Sequence, residues 1–227
     1  WEEKDGIIRL NPTVYQRVAI YGYPGKKAGL EVDDLRRIAL NDAPGLFKIF
    51  MFHTTLDKAR GKIPVDAIES DRLPKADYYA MGHLHIDFQY NNFVYPGPVF
   101  PNNFQELEDL KFGSFYIINT DSSSPLRKIE LKIKDVEKIK IEVDDATTAT
   151  EKIMEEMNKR ELNDKIILLR IFGELKNGKQ SDIKFQQIEE IIKKRNAYFL
   201  LKNTHDLITS EVEFEIKDAF RQIIEEI

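Results

Sequence analysis

The chain has 227 residues, 42% hydrophobic and 32% charged, with a formal net charge of −5; this is the composition of a globular protein, not of a disordered or collagenous one, and its acidic balance argues against a surface coated in basic residues for nucleic acid. Cysteine is absent, which excludes disulfides, thiolate nucleophiles and zinc–thiolate sites, so any metal must be held by imidazole, carboxylate or amide groups. No apolar run approaches the roughly 18 residues a membrane helix requires, and no basic-then-apolar leader precedes the first strand, so no membrane partner and a cytoplasmic location are expected.

In chain order, "RVAIYGYPG" (17–25) predicts a strand closed by a Gly/Pro turn. "EVDDLRRIALN" (31–41) has a helical pattern, with acidic residues at the end where the helix dipole favours them. "LFKIFMFH" (46–53) is a nearly continuous apolar run, the pattern of a strand buried on both faces. "IPVDAIESDRLP" (63–74) predicts a short helix ended by Pro74, and "ADYYAMGHLH" (76–85) a further buried strand. "NNFVYPGPVF" (91–100) predicts a short strand running into a loop; "FGSFYIINTD" (112–121) and "PLRKIELKI" (125–133) predict a hairpin joined by "SSS". Alternating strands and helices followed by several strands imply a layered α/β domain with a mixed sheet, over residues 1–135.

Beyond residue 135 the pattern becomes a compact β-α-β-α-β unit: "KIKIEV" (138–143), a helix over 148–162, "KIILLRIFGEL" (165–175), a helix over 182–195 and "AYFLLKN" (197–203), with "EVEFEI" (211–216) and the start of a last helix after it. A second, smaller α+β domain is therefore expected over 136–227.

Two of the chain's four histidines sit in the single stretch "YYAMGHLHIDFQY" (78–90). In a strand, residues i and i+2 share a face, so His83 and His85 can aim at one spot beyond the strand end. Gly82 removes a side chain where another backbone or an ion needs room. His53 ends the other apolar strand. If the two strands are parallel neighbours, all three imidazoles reach the carboxyl edge of the sheet, where open α/β sheets bind ligands. Alone, His53 reads as a polar cap on a strand; the paired histidines tip the reading to a metal site. Three imidazoles suit one zinc, with water as the fourth ligand. His205, in "NTHD", reads as an exposed turn residue. Lys26, Lys27, Arg36 and Arg37 read as a solvated face rather than a phosphate patch.

An apolar strand ending in His, followed some 30 residues later by a strand ending in G-H-x-H, resembles the last two motifs of the calcineurin-like metallophosphoesterases. It most resembles the DNA-repair nucleases of the SbcD/Mre type found in archaea and bacteria. "LFKIFMFHTTL", "LPKADYYAMGHLH" and "FVYPGPVFPNNFQE...FGSFYIINTD" carry the likeness, which covers about residues 15–135. The resemblance implies the later half of the layered metallophosphoesterase mixed sheet, followed by a DNA-capping domain. It implies two manganese ions (or magnesium), with His53 and His83 on one and His85 on the other. It also implies a manganese-dependent 3'-5' exonuclease and single-strand endonuclease for double-strand-break repair. The complete protein would act on DNA ends, as a homodimer, with an SMC-like ABC ATPase.

The family's D-x-H, G-D and G-N-H motifs, which supply the bridging carboxylate, an Asn ligand and the catalytic His, do not occur. The chain starts at Trp1, so these groups, the catalytic residue among them, are expected upstream of it. Without carboxylates, neutral imidazoles do not offset the repulsion between two divalent ions, so this chain alone is expected to be inactive. Thr54 and Thr55 follow His53 where the family usually has glycine, and Pro98 follows Gly97 where it favours serine. Two alternatives stand beside this reading: another phosphatase or phosphodiesterase of the superfamily, and a non-catalytic module that binds DNA or a protein partner.

Overall fold

The computed structural model describes residues 1–62, 64–121 and 126–209, and divides the chain into two compact units. One comprises Trp1–Pro101 and Phe112–Leu131; the other comprises Asn102–Lys111 and the chain from Lys132 onward. The second unit thus begins at 132 and also takes in ten residues that the sequence reading placed in the first. The architecture is mixed α/β, with several sheets and few helices.

In the first unit the strands are β1 (Glu2–Lys4), β2 (Ile7–Leu10), β3 (Thr13–Tyr15), β4 (Val18–Tyr23), β5 (Ile38–Leu40), β6 (Phe47–His53), β7 (Tyr78–Gly82), β8 (Asp87–Tyr90), β9 (Phe93–Pro96), β10 (Gly113–Ile118) and β11 (Leu126–Leu131). Among its described residues there is one short α-helix, α1 (Glu31–Leu35). The main sheet has the order β3-β4-β6-β7-β9-β8. Its four inner strands run parallel, and β3 and β8 pair antiparallel at the edges. Tyr21, Phe50, Tyr79, Phe93 and Tyr95 fill the core on one face, and Tyr79 stacks on Phe93 with ring centroids 3.9 Å apart.

Three local expectations are corrected. The helix at 31–41 lasts one turn, because Ile38–Leu40 leaves it to pair parallel with Ile8–Leu10 and bury Ile38. The 63–74 stretch contains only a single 3₁₀ turn, Ser70–Arg72, and no α-helix among its described residues. β6 is not buried on both faces: Phe50 and Phe52 are buried, whereas Met51 is 53% exposed. Cross-strand register places Gly22 and Ala80 beside Met51, and Ile20 and Tyr78 beside Ile49, on that second face. β10 and β11 pair antiparallel as expected; the "SSS" connection lies outside the described residues.

The second unit contains α2 (Phe104–Leu110), β12 (Val136–Glu142), α3 (Ala146–Asn158), β13 (Ile166–Leu175), α4 (Phe185–Lys194), β14 (Phe199–Asn203) and β15 (Leu207–Thr209). β12 and β14 flank β13 in parallel, and β15 pairs with its last three residues. Alternation along β13 divides two cores: Ile167, Leu169 and Ile171 pack with Ile153, Met157, Ile188 and Ile192 of α3 and α4, while Ile166 and Leu168 pack with Leu107 of α2. α3 starts at Asp145, whose carboxylate accepts the Thr147 N–H at 2.8 Å. The strand and helix expected at 211–227 lie outside the described residues.

Candidate metal centre

The parallel pairing of β6 with β7 sets His53 beside Gly82 in register. His83 is the next residue, and its ring meets that of His53 edge to face, with centroids 5.2 Å apart and planes at 80°. Both imidazoles are exposed and line a cleft of about 710 Å³ at the carboxyl ends of β4, β6 and β7. Two residues that sequence places 30 apart are thus neighbours at the sheet edge where open α/β folds bind ligands.

The i, i+2 argument for His83 and His85 does not describe this geometry. β7 ends at Gly82, and His83 has φ +101°, a left-handed conformation that an L-residue adopts only under strain. The chain bends there, so period-2 alternation stops before either histidine. His85 is exposed and is not among the residues that line the cleft.

Glycine shapes the site from two sides. A Cβ on Gly82 would fall 2.8 Å from His53 Nδ1, and a Cβ on Gly25 would fall 2.9 Å from His53 Cδ2. The imidazole is therefore held between two stretches of bare backbone, one following β4 and one ending β7. Directly after His53, Thr54 and Thr55 are almost wholly buried. Tyr95 donates its hydroxyl hydrogen to the Thr54 carbonyl at 2.7 Å and accepts the Leu56 N–H at 2.8 Å. Burial raises the Tyr95 pKa well above the ordinary phenol range, so the hydroxyl stays a donor.

The basic residues near the cleft are mostly engaged. Lys26 pairs with Asp34, which also accepts the Tyr23 hydroxyl at 2.7 Å and Arg37 Nη2 at 2.6 Å. Arg36 bonds Glu69 and Asp33. Lys26 foremost, then Tyr23 and Arg37, hold the Asp34 carboxyl down at about 2. His205 sits in an exposed loop beside Asp206, with its ring 92% exposed.

As ligands, exposed imidazoles at a strand edge suit manganese or zinc by chemical type. Among the described residues, however, no group of three or more His, Asp or Glu side chains is arranged to hold an ion. Glu31 and Asp66 line the same cleft, but they do not join the two imidazoles in such a group, so the side chains present do not fit a two-cation centre unaided, with the cations' mutual repulsion left to offset. The sequence does not mark Gly25, Thr54 and Tyr95 as residues that shape the site. Gly25 looked like ordinary turn punctuation, and the other two became site residues only when β9 and the loop after β4 met the end of β6. Compared with protein-family models and with characterised proteins, the sequence finds no match. Among the described residues no helix is long and apolar enough to cross a membrane.

Proposed function

We propose that this chain supplies part of the active centre of a manganese-dependent nuclease of the metallophosphoesterase type, acting on DNA ends. In this reading His53, His83 and His85 are the imidazole ligands and the carboxylates come from a partner segment. The observation that carries it is the meeting of His53 and His83 at the carboxyl edge of adjacent parallel strands. A pair of imidazoles so placed favours a shared ion over two independent strand caps.

The second face of the main sheet supports the same reading. Met51 is 53% and Tyr15 68% exposed on it, beside Val18, Ile20 and Ile49, which are only partly buried. An apolar sheet face left this open is the kind that a further layer covers. The finer architecture we infer is one sheet of a layered phosphoesterase, with the β12–β15 unit as its cap. A homodimer of the complete protein, working with an SMC-like ABC ATPase, belongs to the same proposal.

The test uses the complete protein and linear duplex DNA. Changing His83 or His85 to Ala should cut manganese-dependent cleavage by more than ~100-fold, beyond what loss of a ligand's outer-shell partner costs, while DNA affinity is retained. Undiminished cleavage by both variants would sink the assignment. Salt-dependent DNA binding that needs no metal, with no cleavage by the complete protein, would favour a binding module instead.

A further inference from the structure

Glu31 is 5% exposed, yet among the described residues it has no cationic partner at ion-pair distance. A buried carboxylate is costly unless hydrogen bonds hold it. Two do so here: Oε1 accepts the Thr54 hydroxyl hydrogen at 2.8 Å and Oε2 accepts the Lys26 backbone N–H at 3.0 Å. One carboxylate thereby ties the loop leaving β4 to the residue that follows His53.

Gly25 is the residue before Lys26, and its backbone is what walls the Cδ2 edge of the His53 ring. Gly82 walls the Nδ1 edge. With those two edges closed, Nε2 is left at the free end of the ring. An exposed imidazole at a strand end would otherwise sample several rotamers; a ligand locked before binding loses less entropy when it binds.

We propose that Glu31 and Thr54 are positioning residues for His53, holding the Gly25–Lys26 backbone against its imidazole so that one ring orientation is kept. The functional meaning rests on His53 being a metal ligand; the ring's position does not.

The experiment follows the His53 ring by NMR in the metal-free chain. In the wild type, a single set of ring resonances and a strong nuclear Overhauser effect from His53 Cδ2–H to Gly25 Hα are expected. Thr54→Val keeps the shape but removes the donor; the effect should fall about threefold as the ring spreads over its staggered rotamers, and Thr54→Ser should restore it. If Thr54→Val does not fold, Thr54→Ala is read the same way. An unchanged effect in the folded variant overturns the proposal, as does a loss that Thr54→Ser fails to restore. In the complete protein, Thr54→Val should raise the manganese requirement about tenfold. A displaced ring with an unaltered manganese requirement would leave the positioning role standing and overturn His53 as a ligand.

Discussion

Arg170 on β13 and Glu108 in α2, 62 residues apart in sequence, meet through two hydrogen bonds: Nη2 to Oε2 at 2.6 Å and Nε to Oε1 at 3.1 Å. Their side chains are only 15% and 10% exposed, and the guanidinium also lies 5.0 Å from the centroid of the Phe104 ring. Residues 102–111 are thus built into the β12–β15 unit by a largely buried ion pair as well as by Leu107. Breaking such a pair from one side leaves the Glu108 carboxylate with only the exposed Lys140 ammonium, 3.4 Å away. Arg170→Met should destabilise this unit by about 3 kcal/mol, read as a lowered urea midpoint with unchanged slope; a midpoint equal to wild type would contradict it.

Asp34 makes the first unit sensitive to acid. Its carboxyl is held at about 2, below the ordinary 3.8, so the folded state favours the charged form. The resulting stability is present above about pH 4 and is lost as pH falls toward 2. Asp34→Asn should cost about 1–2 kcal/mol at pH 7, allowing for screening at the partly exposed Lys26. The gap between variant and wild type should close between pH 4 and pH 2. A gap that persists unchanged at the acid end would count against the ion-pair account.

Gly82→Ala tests the fit around His53. Its Cβ would sit 2.8 Å from Nδ1, closer than real Cβ atoms come, so the ring must turn away. The expected result is loss of the edge-to-face contact with His83 and a drop of at least tenfold in manganese-dependent cleavage by the complete protein, as for a displaced ligand. Ring resonances of His53 and His83 that do not shift would refute it.

Met51 separates folding of this chain from assembly. Because its side chain is 53% exposed, Met51→Glu should change the stability of the isolated chain by less than about 0.5 kcal/mol. In the complete protein, where the proposed further layer covers this face, the same change should weaken folding or assembly measurably. Equal, negligible effects in both settings would argue that the face is a free surface.

How far the sequence could be read depended on how local each signal was. The strand cores around Val18–Tyr23, Phe47–His53 and Ile166–Leu175 declared themselves by apolar runs, and α3 and α4 by their helical pattern. α2 was missed although "NFQE" carries a capping signal: Asn103 accepts the Glu106 N–H at 2.9 Å. Its seven residues are too short for periodicity to register. The apolar pattern at 31–41 was followed too far, because Ile38–Leu40 is claimed by β2, a strand almost 30 residues earlier.

The amino-acid order by itself determined which residue types stand at the ends of β6 and β7, that no thiolate chemistry is available, and that the pattern changes near residue 135. Only the tertiary structure decided which of those residues meet. His83 turns out of the strand at φ +101°, so it reaches His53 by a bend rather than by alternation. Glu31 serves Thr54 and Lys26, although as a helix-start residue it looked like a partner for the dipole. The reason is physical: periodicity reports only what a residue does within its own element, whereas burial and hydrogen bonding at a sheet edge are set by strands and loops that arrive from elsewhere in the chain.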